Sequence, residues 1–229
     1  MKKEKLYGII KLAQEYYQDS LYSENGTIAM KYLKEREITE DVINKFSIGY
    51  APDNDELLSY LLGKGFNEEE ILLSGLAVKK ETCVVKKFNN RIMIPIFDAD
   101  NKIVSFCGRT LAANEAVFLN SADTPIFNKE DCMFGLNIAK ESTEPYVLLV
   151  EGVLDVVTFN QKGNMSVVAT IGIELSKKQV KMLKSLNKEI LIAYDNDELG
   201  MSLANQAFET LKQEGVIAKI VSKDEWLQR

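Results

Sequence analysis

The sequence predicts an α/β protein: a mixed helical and β-rich N-terminal part, followed by a domain with a mainly parallel sheet flanked by helices. Three observations carry this. From about residue 145, short apolar runs alternate with amphipathic stretches of helical period. Those runs are uninterrupted rather than alternating, as strands covered on both faces are. Residues 1 to about 80 carry helical spacing, whereas about 84–140 carry paired apolar runs around polar turns. The expected division is 1–144 and 145–229.

Taken in order, Leu6, Ile10, Ala13 and Tyr17 recur at helical spacing. Asn67, with Glu70 three residues on, reads as the capping box of a later helix. "RIMIPIFDADNKIVSFCGRTL" places two apolar runs around "DADN", predicting a β-hairpin with Pro95 and Gly108 at irregular positions. "FLNSADTPIFNKED", rich in Asn, Ser, Asp and Pro, reads as structured loop. Then come a strand, "YVLLV"; a helix closed by Gly163; a strand, "SVVATI"; and a helix opened by Ser176 with Gln179 in capping-box spacing. "EILIAY" is the next strand. The long helix after it should present Leu199, Leu203, Ala207 and Leu211 on one face and end at Gly215, before a last strand, "VIAKIV".

Composition narrows the chemistry. The 229 residues are 46% hydrophobic and 27% charged, ordinary values for a globular chain long enough to bury a core. No apolar run is long enough for a membrane span and the start does not resemble a signal peptide, so the expectation is a soluble, cytoplasmic protein. There is no histidine, and Cys83, Cys107 and Cys132 lie far apart. Zinc sites of the usual Cys/His kind, histidine-based nucleophiles and imidazole bases are therefore not expected. Carboxylates, lysines, arginines and a carboxylate-held metal remain. The net charge of -6 argues against simple coating of nucleic acid.

Glu151 follows "YVLLV", and Asp195 and Asp197 follow "EILIAY". Ligands of open parallel sheets gather beyond the carboxyl ends of the strands. If these two strands are neighbours, three carboxylates converge, and a cation would relieve their repulsion. An all-oxygen set suits Mg²⁺ or Mn²⁺, which would neutralise phosphate and polarise an attacking or leaving oxygen. The plain alternative is that Asp195 and Asp197 cap a helix or make a turn. A calcium loop is a second alternative, but Leu199 and Gln206 occupy two of its ligand positions. Asp155, four residues after Glu151, is either a supporting partner of that carboxylate or a charge at a helix N-terminus.

Glu-Gly after an apolar strand, Asp155 in the next helix, then Asp-x-Asp with Gly200 shortly after resembles the toprim domain of DnaG-type primases, topoisomerases and some nucleases. "YLKEREITEDVINKFSIGYAPDN", "RIMIPIFDADNKIVSFCGR", "FLNSADTPIFNKEDCMFGLNIAK" and "VLLVEGVLDVV" resemble, in order, the catalytic core of bacterial replicative primases, and this covers nearly the whole chain. The resemblance implies a primase-core subdomain followed by a toprim subdomain, and a DNA-directed RNA primase that joins ribonucleoside triphosphates into primers on single-stranded DNA. It implies Glu151, Asp195 and Asp197 as metal-binding carboxylates and Lys129 as a catalytic basic residue. Arg36, Arg91, Arg109 and Asn120, with Lys129, would bind nucleic acid or nucleotide. It also implies a replicative helicase as partner, through a region absent from this chain, and no zinc within this chain.

Departures from the family pattern are Val117 in place of a lysine, Asn196 between the aspartates, Ser105 and Cys107 in place of glycines, and Ile173 after Gly172. The alternative they keep open is a divergent toprim module that binds metal or nucleic acid without polymerising. "VVKKFNNR" could form one wall of a template groove with Lys86, Lys87 and Arg91 pointing together, and Phe88 and Phe118 could stack on bases.

Overall fold

The computed structural model describes residues 3–112, 115–172 and 174–228, so Ile173 lies outside the described residues. The chain divides into two compact units: Met1–Ile96 with Lys102–Asn128, and Phe97–Asn101 with Lys129–Arg229. Each is described by itself.

The first unit opens with helices α1 (Lys3–Tyr22), α2 (Thr27–Glu35) and α3 (Glu40–Lys45). Strand β1 (Gly49–Ala51), helices α4 (Glu56–Gly63) and α5 (Glu68–Leu73) and the hairpin β2 (Ala77–Lys80) and β3 (Cys83–Lys86) follow. Strands β4 (Arg91–Phe97), β5 (Ile103–Thr110) and β6 (Phe118–Asn120) join β1 in a sheet of order β1-β4-β5-β6. Leu6, Ile10, Ala13 and Tyr17 of α1 all enter the core with Phe88, Met93 and Phe106. The α5 cap is as expected: Asn67 Oδ1 accepts from the Glu70 N–H at 2.9 Å, and Glu70 Oε2 accepts from the Asn67 N–H at 3.1 Å.

Four local expectations for this unit are corrected. Pro95 and Gly108 lie inside β4 and β5 rather than at irregular positions. Pro95 is tolerated because β1 pairs only with Arg91, Ile92 and Met93, so no β1 partner calls for an N–H at position 95. Gly108 is required by close packing, since a Cβ there would lie 2.8 Å from the Phe88 ring and 3.0 Å from Arg91 Cδ. The segment expected to be loop begins as strand, because Phe118–Asn120 pairs antiparallel with β5. Lys86, Lys87 and Arg91 form no groove wall: Lys86 is buried and donates to the Pro52 carbonyl at 2.5 Å, and Arg91 is also buried. Phe88 is core, 1% exposed, and of the two aromatics only Phe118 reaches the surface.

The second unit contains β7 (Met133–Phe134), α6 (Leu136–Ala139), β8 (Tyr146–Val150), α7 (Val153–Gln161), β9 (Val167–Thr170) and α8 (Lys177–Ser185). It ends with β10 (Glu189–Ile192), α9 (Glu198–Gln213), β11 (Ala218–Ile220) and α10 (Lys223–Leu227). The sheet order is β11-β10-β8-β9-β7, parallel except for β7 against β9. That antiparallel pairing draws residues ahead of 145 into this unit. Val147 and Leu149 of β8 point into a core with α6, α8 and α9, and the intervening Leu148 and Val150 are equally buried. Ser176 and Gln179 form the expected reciprocal cap.

The face expected for α9 is out of phase at its start. Gly200, Ala204, Ala207 and Leu211 are buried, whereas Leu199 is 63% exposed. Stepping by four residues drifts about 40° per step on a helix of 3.6 residues per turn, so three steps back from Leu211 rotate position 199 to the surface. Among the described residues no helix is long and apolar enough to cross a membrane.

Candidate functional site

The register Leu149↔Ile192 makes β8 and β10 adjacent and parallel, so Glu151 and Asp195 leave the sheet at the same end, side by side. The Glu151 carboxylate faces Asp195, and its Oε2 is buried and has no hydrogen-bond partner. Burial, then the Asp195 charge, with Asp197 contributing less, raises the Glu151 carboxyl above the ordinary carboxylate range. Burial and the same Glu151 charge push the Tyr194 hydroxyl up to about 12.

Asp197 plays a different part. It is the N-cap of α9, with Oδ1 accepting the Gly200 N–H at 2.7 Å, a bond that engages one of its two carboxylate oxygens. Gly200 is sterically required: a Cβ would lie 2.3 Å from the Asp195 carbonyl oxygen. The glycine thus lets the first turn of α9 fold back against the backbone of Asp195. Helix α7 starts at Val153 rather than directly after the strand, which places Asp155 in its first turn with Oδ2 accepting the Gly152 N–H at 3.0 Å.

The residue that joins these groups is Lys223, at the start of α10 just after β11, which borders β10 on its other side. Its Nζ lies 2.6 Å from Asp195 Oδ1 and 2.7 Å from Asp155 Oδ1, with 14% of the side chain exposed. Burial alone would lower its pKa, but the two carboxylates outweigh burial and hold it above the usual lysine value. Lys223 is not among the candidates that the sequence offers; a cation directly after the last strand was the available signal. Asp224 instead accepts from Asn196 Nδ2 at 3.3 Å.

Among the described residues no group of three or more His, Cys, Asp or Glu side chains is gathered so as to hold a metal ion. Glu151 and Asp195 come together at the strand ends; Asp197 turns to its cap. The pair nevertheless fits a hard divalent cation. Its donors are all oxygen, one buried oxygen is unpartnered, burial and the Asp195 charge outweigh the relief that Lys223 gives Glu151, and an ammonium already occupies the cationic position beside Asp195.

The other candidates are distributed as follows. Lys129 is exposed at the start of a 3₁₀ turn, Lys129–Asp131, whose backbone is held by Gln179 Nε2 on the Lys129 carbonyl at 3.1 Å. In the first unit, Arg109 on β5 lies over the Tyr32 ring at 4.3 Å, and Arg36, which ends α2, lies over the same ring at 5.1 Å. Asn120 ends β6 opposite Cys107. Arg91 is 5% exposed; it donates to the Gly108 and Ala116 carbonyls at 3.2 and 3.0 Å and to Glu115 at 2.7 Å, so its donors are directed inward.

Comparison with known proteins places this arrangement. Residues 16–140 match the family model for the DNA primase catalytic core, N-terminal domain, more than half of the chain. The chain belongs to the DnaG-type primase catalytic-core family. Residues 148–226 match a Toprim-like model, so the primase-core and toprim segments run in the expected order. A DNA primase from Clostridium acetobutylicum is 35% identical over 96% of the chain, which spans 37% of that relative's length. A DNA primase domain from Pseudomonas aeruginosa has a TM-score of 0.88 at 31% identity, covering 95% of this chain and 70% of that one. A DnaG primase catalytic domain bound to single-stranded DNA has a TM-score of 0.87 at 29% identity, with coverage of 96% and 71%.

Proposed function

We propose that this chain is a primase catalytic core that joins ribonucleoside triphosphates into short RNA primers on a single-stranded DNA template. The carrying observation is Glu151 and Asp195 side by side beyond β8 and β10, in a chain whose relatives are DNA primases. Glu151, Asp195 and Asp197 would hold Mg²⁺ or Mn²⁺, which when bound neutralises phosphate charge and polarises the reacting oxygens. Asp195 takes the cation in direct competition with Lys223, and Asp197 keeps its orientation through the α9 cap.

Lys129 is proposed to hold the triphosphate, its backbone fixed by Gln179. Arg36, Arg109 and Asn120 are proposed to bind nucleic acid or nucleotide, with the arginines giving charge-assisted bonds to phosphate. Arg91 acts earlier in the chain of causes, locking β4 to β5 and to residues 115–116 so that Arg109 is presented on a fixed strand. A primase-core part followed by a toprim part that takes in residues ahead of 145, a cytoplasmic location and a replicative helicase as partner belong to the same proposal.

The test is primer synthesis on a single-stranded oligonucleotide with Mn²⁺ and labelled ribonucleoside triphosphates. Short RNA products are expected, with Asp195→Asn lowering their rate by about 10²-fold or more while the protein stays folded. Absence of product from a folded, Mn²⁺-binding protein would overturn polymerisation and leave a metal-binding toprim module.

A further inference from the structure

We infer that Tyr32 is a positioning residue that gathers Arg36 and Arg109 into a single anion-binding pair. The inference rests on the reading above that these arginines meet phosphate. The two are 73 positions apart in sequence, one ending α2 and the other within β5, yet both guanidinium carbons lie against the same ring, at 5.1 and 4.3 Å from its centroid. Like charges brought together repel, so their meeting needs an attraction of another kind. The quadrupole of the Tyr32 ring presents a negative face to a cation and supplies it.

The surroundings show that the ring, not the hydroxyl, does the holding. Tyr32 Oη is buried and makes no hydrogen bond, so it anchors neither arginine. Arg109 spends one donor on the Thr110 carbonyl, which orients the guanidinium without neutralising it. Arg36 is exposed and Arg109 is partly buried, so the pair keeps access to solvent. Two planar, always-charged donor groups held against one ring suit the oxygens of a phosphodiester, or of neighbouring phosphates on one strand.

The experiment measures binding of fluorescein-labelled oligo(dT) by anisotropy across a NaCl series. The slope of log affinity against log salt counts the phosphates neutralised, at about 0.7 per phosphate for a single strand. Tyr32→Leu is expected to flatten that slope by about 0.7 to 1.4 and to weaken binding about tenfold at fixed salt, while Tyr32→Phe restores the wild-type slope. Pentafluorophenylalanine at position 32 keeps the ring's shape and reverses its quadrupole. It is expected to behave as Leu does, and it serves if the Leu variant fails to fold.

A wild-type slope in the folded pentafluorophenylalanine variant, when Arg36→Gln with Arg109→Gln flattens it, would overturn the positioning role alone. An unchanged slope in that double arginine variant overturns both the phosphate role of the arginines and this inference.

Discussion

Glu151 is where two requirements of the site oppose each other. Burial favours a neutral carboxyl, Asp195 pushes the same way, and the carboxyl is raised above its usual range. A raised acid pKa means the folded protein binds that proton more tightly than the unfolded chain. The corresponding stability is complete below the ordinary carboxylate pKa and is lost as pH rises through the raised value. Glu151→Gln cannot ionise and loses nothing over that window. In metal-free buffer its melting temperature should match wild type near about pH 4 and exceed it at neutral pH, as checked by thermal melts across pH. A variant that is uniformly less stable at every pH would show that the carboxyl is not strained in the folded protein.

At the scale of elements, α9 shows how a helix N-terminus sets the position of a carboxylate upstream of it. Gly200 lets the first turn lie against the Asp195 backbone, and Asp197 caps that turn. Gly200→Ala should cost about 1–3 kcal/mol in unfolding free energy through overpacking, and should weaken Mn²⁺ binding more than Leu199→Ala does, because Leu199 is exposed. Chemical denaturation and Mn²⁺ titration of both variants check this. Such details mark the reach of sequence. The capping boxes at Asn67 and Ser176 were legible because three residues and a hydrogen-bonding rule define them. The parallel strands were legible from uninterrupted apolar runs. The phase of α9 was not, because Leu199 matches a spacing whose drift only the folded helix makes visible. Arg91 read as a nucleic-acid contact because charge is visible in sequence whereas its inward carbonyl partners are not.

At the scale of the whole molecule, strand order decides which ends meet. Glu151, Asp195 and Lys223 follow β8, β10 and β11, which are consecutive in the sheet although a strand and a helix intervene in sequence between β8 and the helix leading to β10. Sequence showed that Glu151 and Asp195 end strands; it did not contain the order that adds Lys223. A ligand that binds only the folded protein raises its stability by mass action, so Mn²⁺ at about one hundred times its dissociation constant should stabilise the chain by about 2.7 kcal/mol. Asp195→Asn should abolish that increment, and calorimetry with and without Mn²⁺ measures it. An equal increment in that variant would place the metal elsewhere.

In the metal site proposed above, the lysine between Asp155 and Asp195 would give metal loading the character of an exchange. A divalent ion held by Asp195 would displace a cation that is tied to the chain and present at every metal concentration, so dilution would never remove the competitor. The observed affinity is the intrinsic affinity scaled by the fraction of molecules in which the lysine has swung away. Filling the site would therefore leave Lys223 with Asp155 as its one remaining carboxylate partner of the two, and with donor capacity for a new anion at the moment the metal arrives.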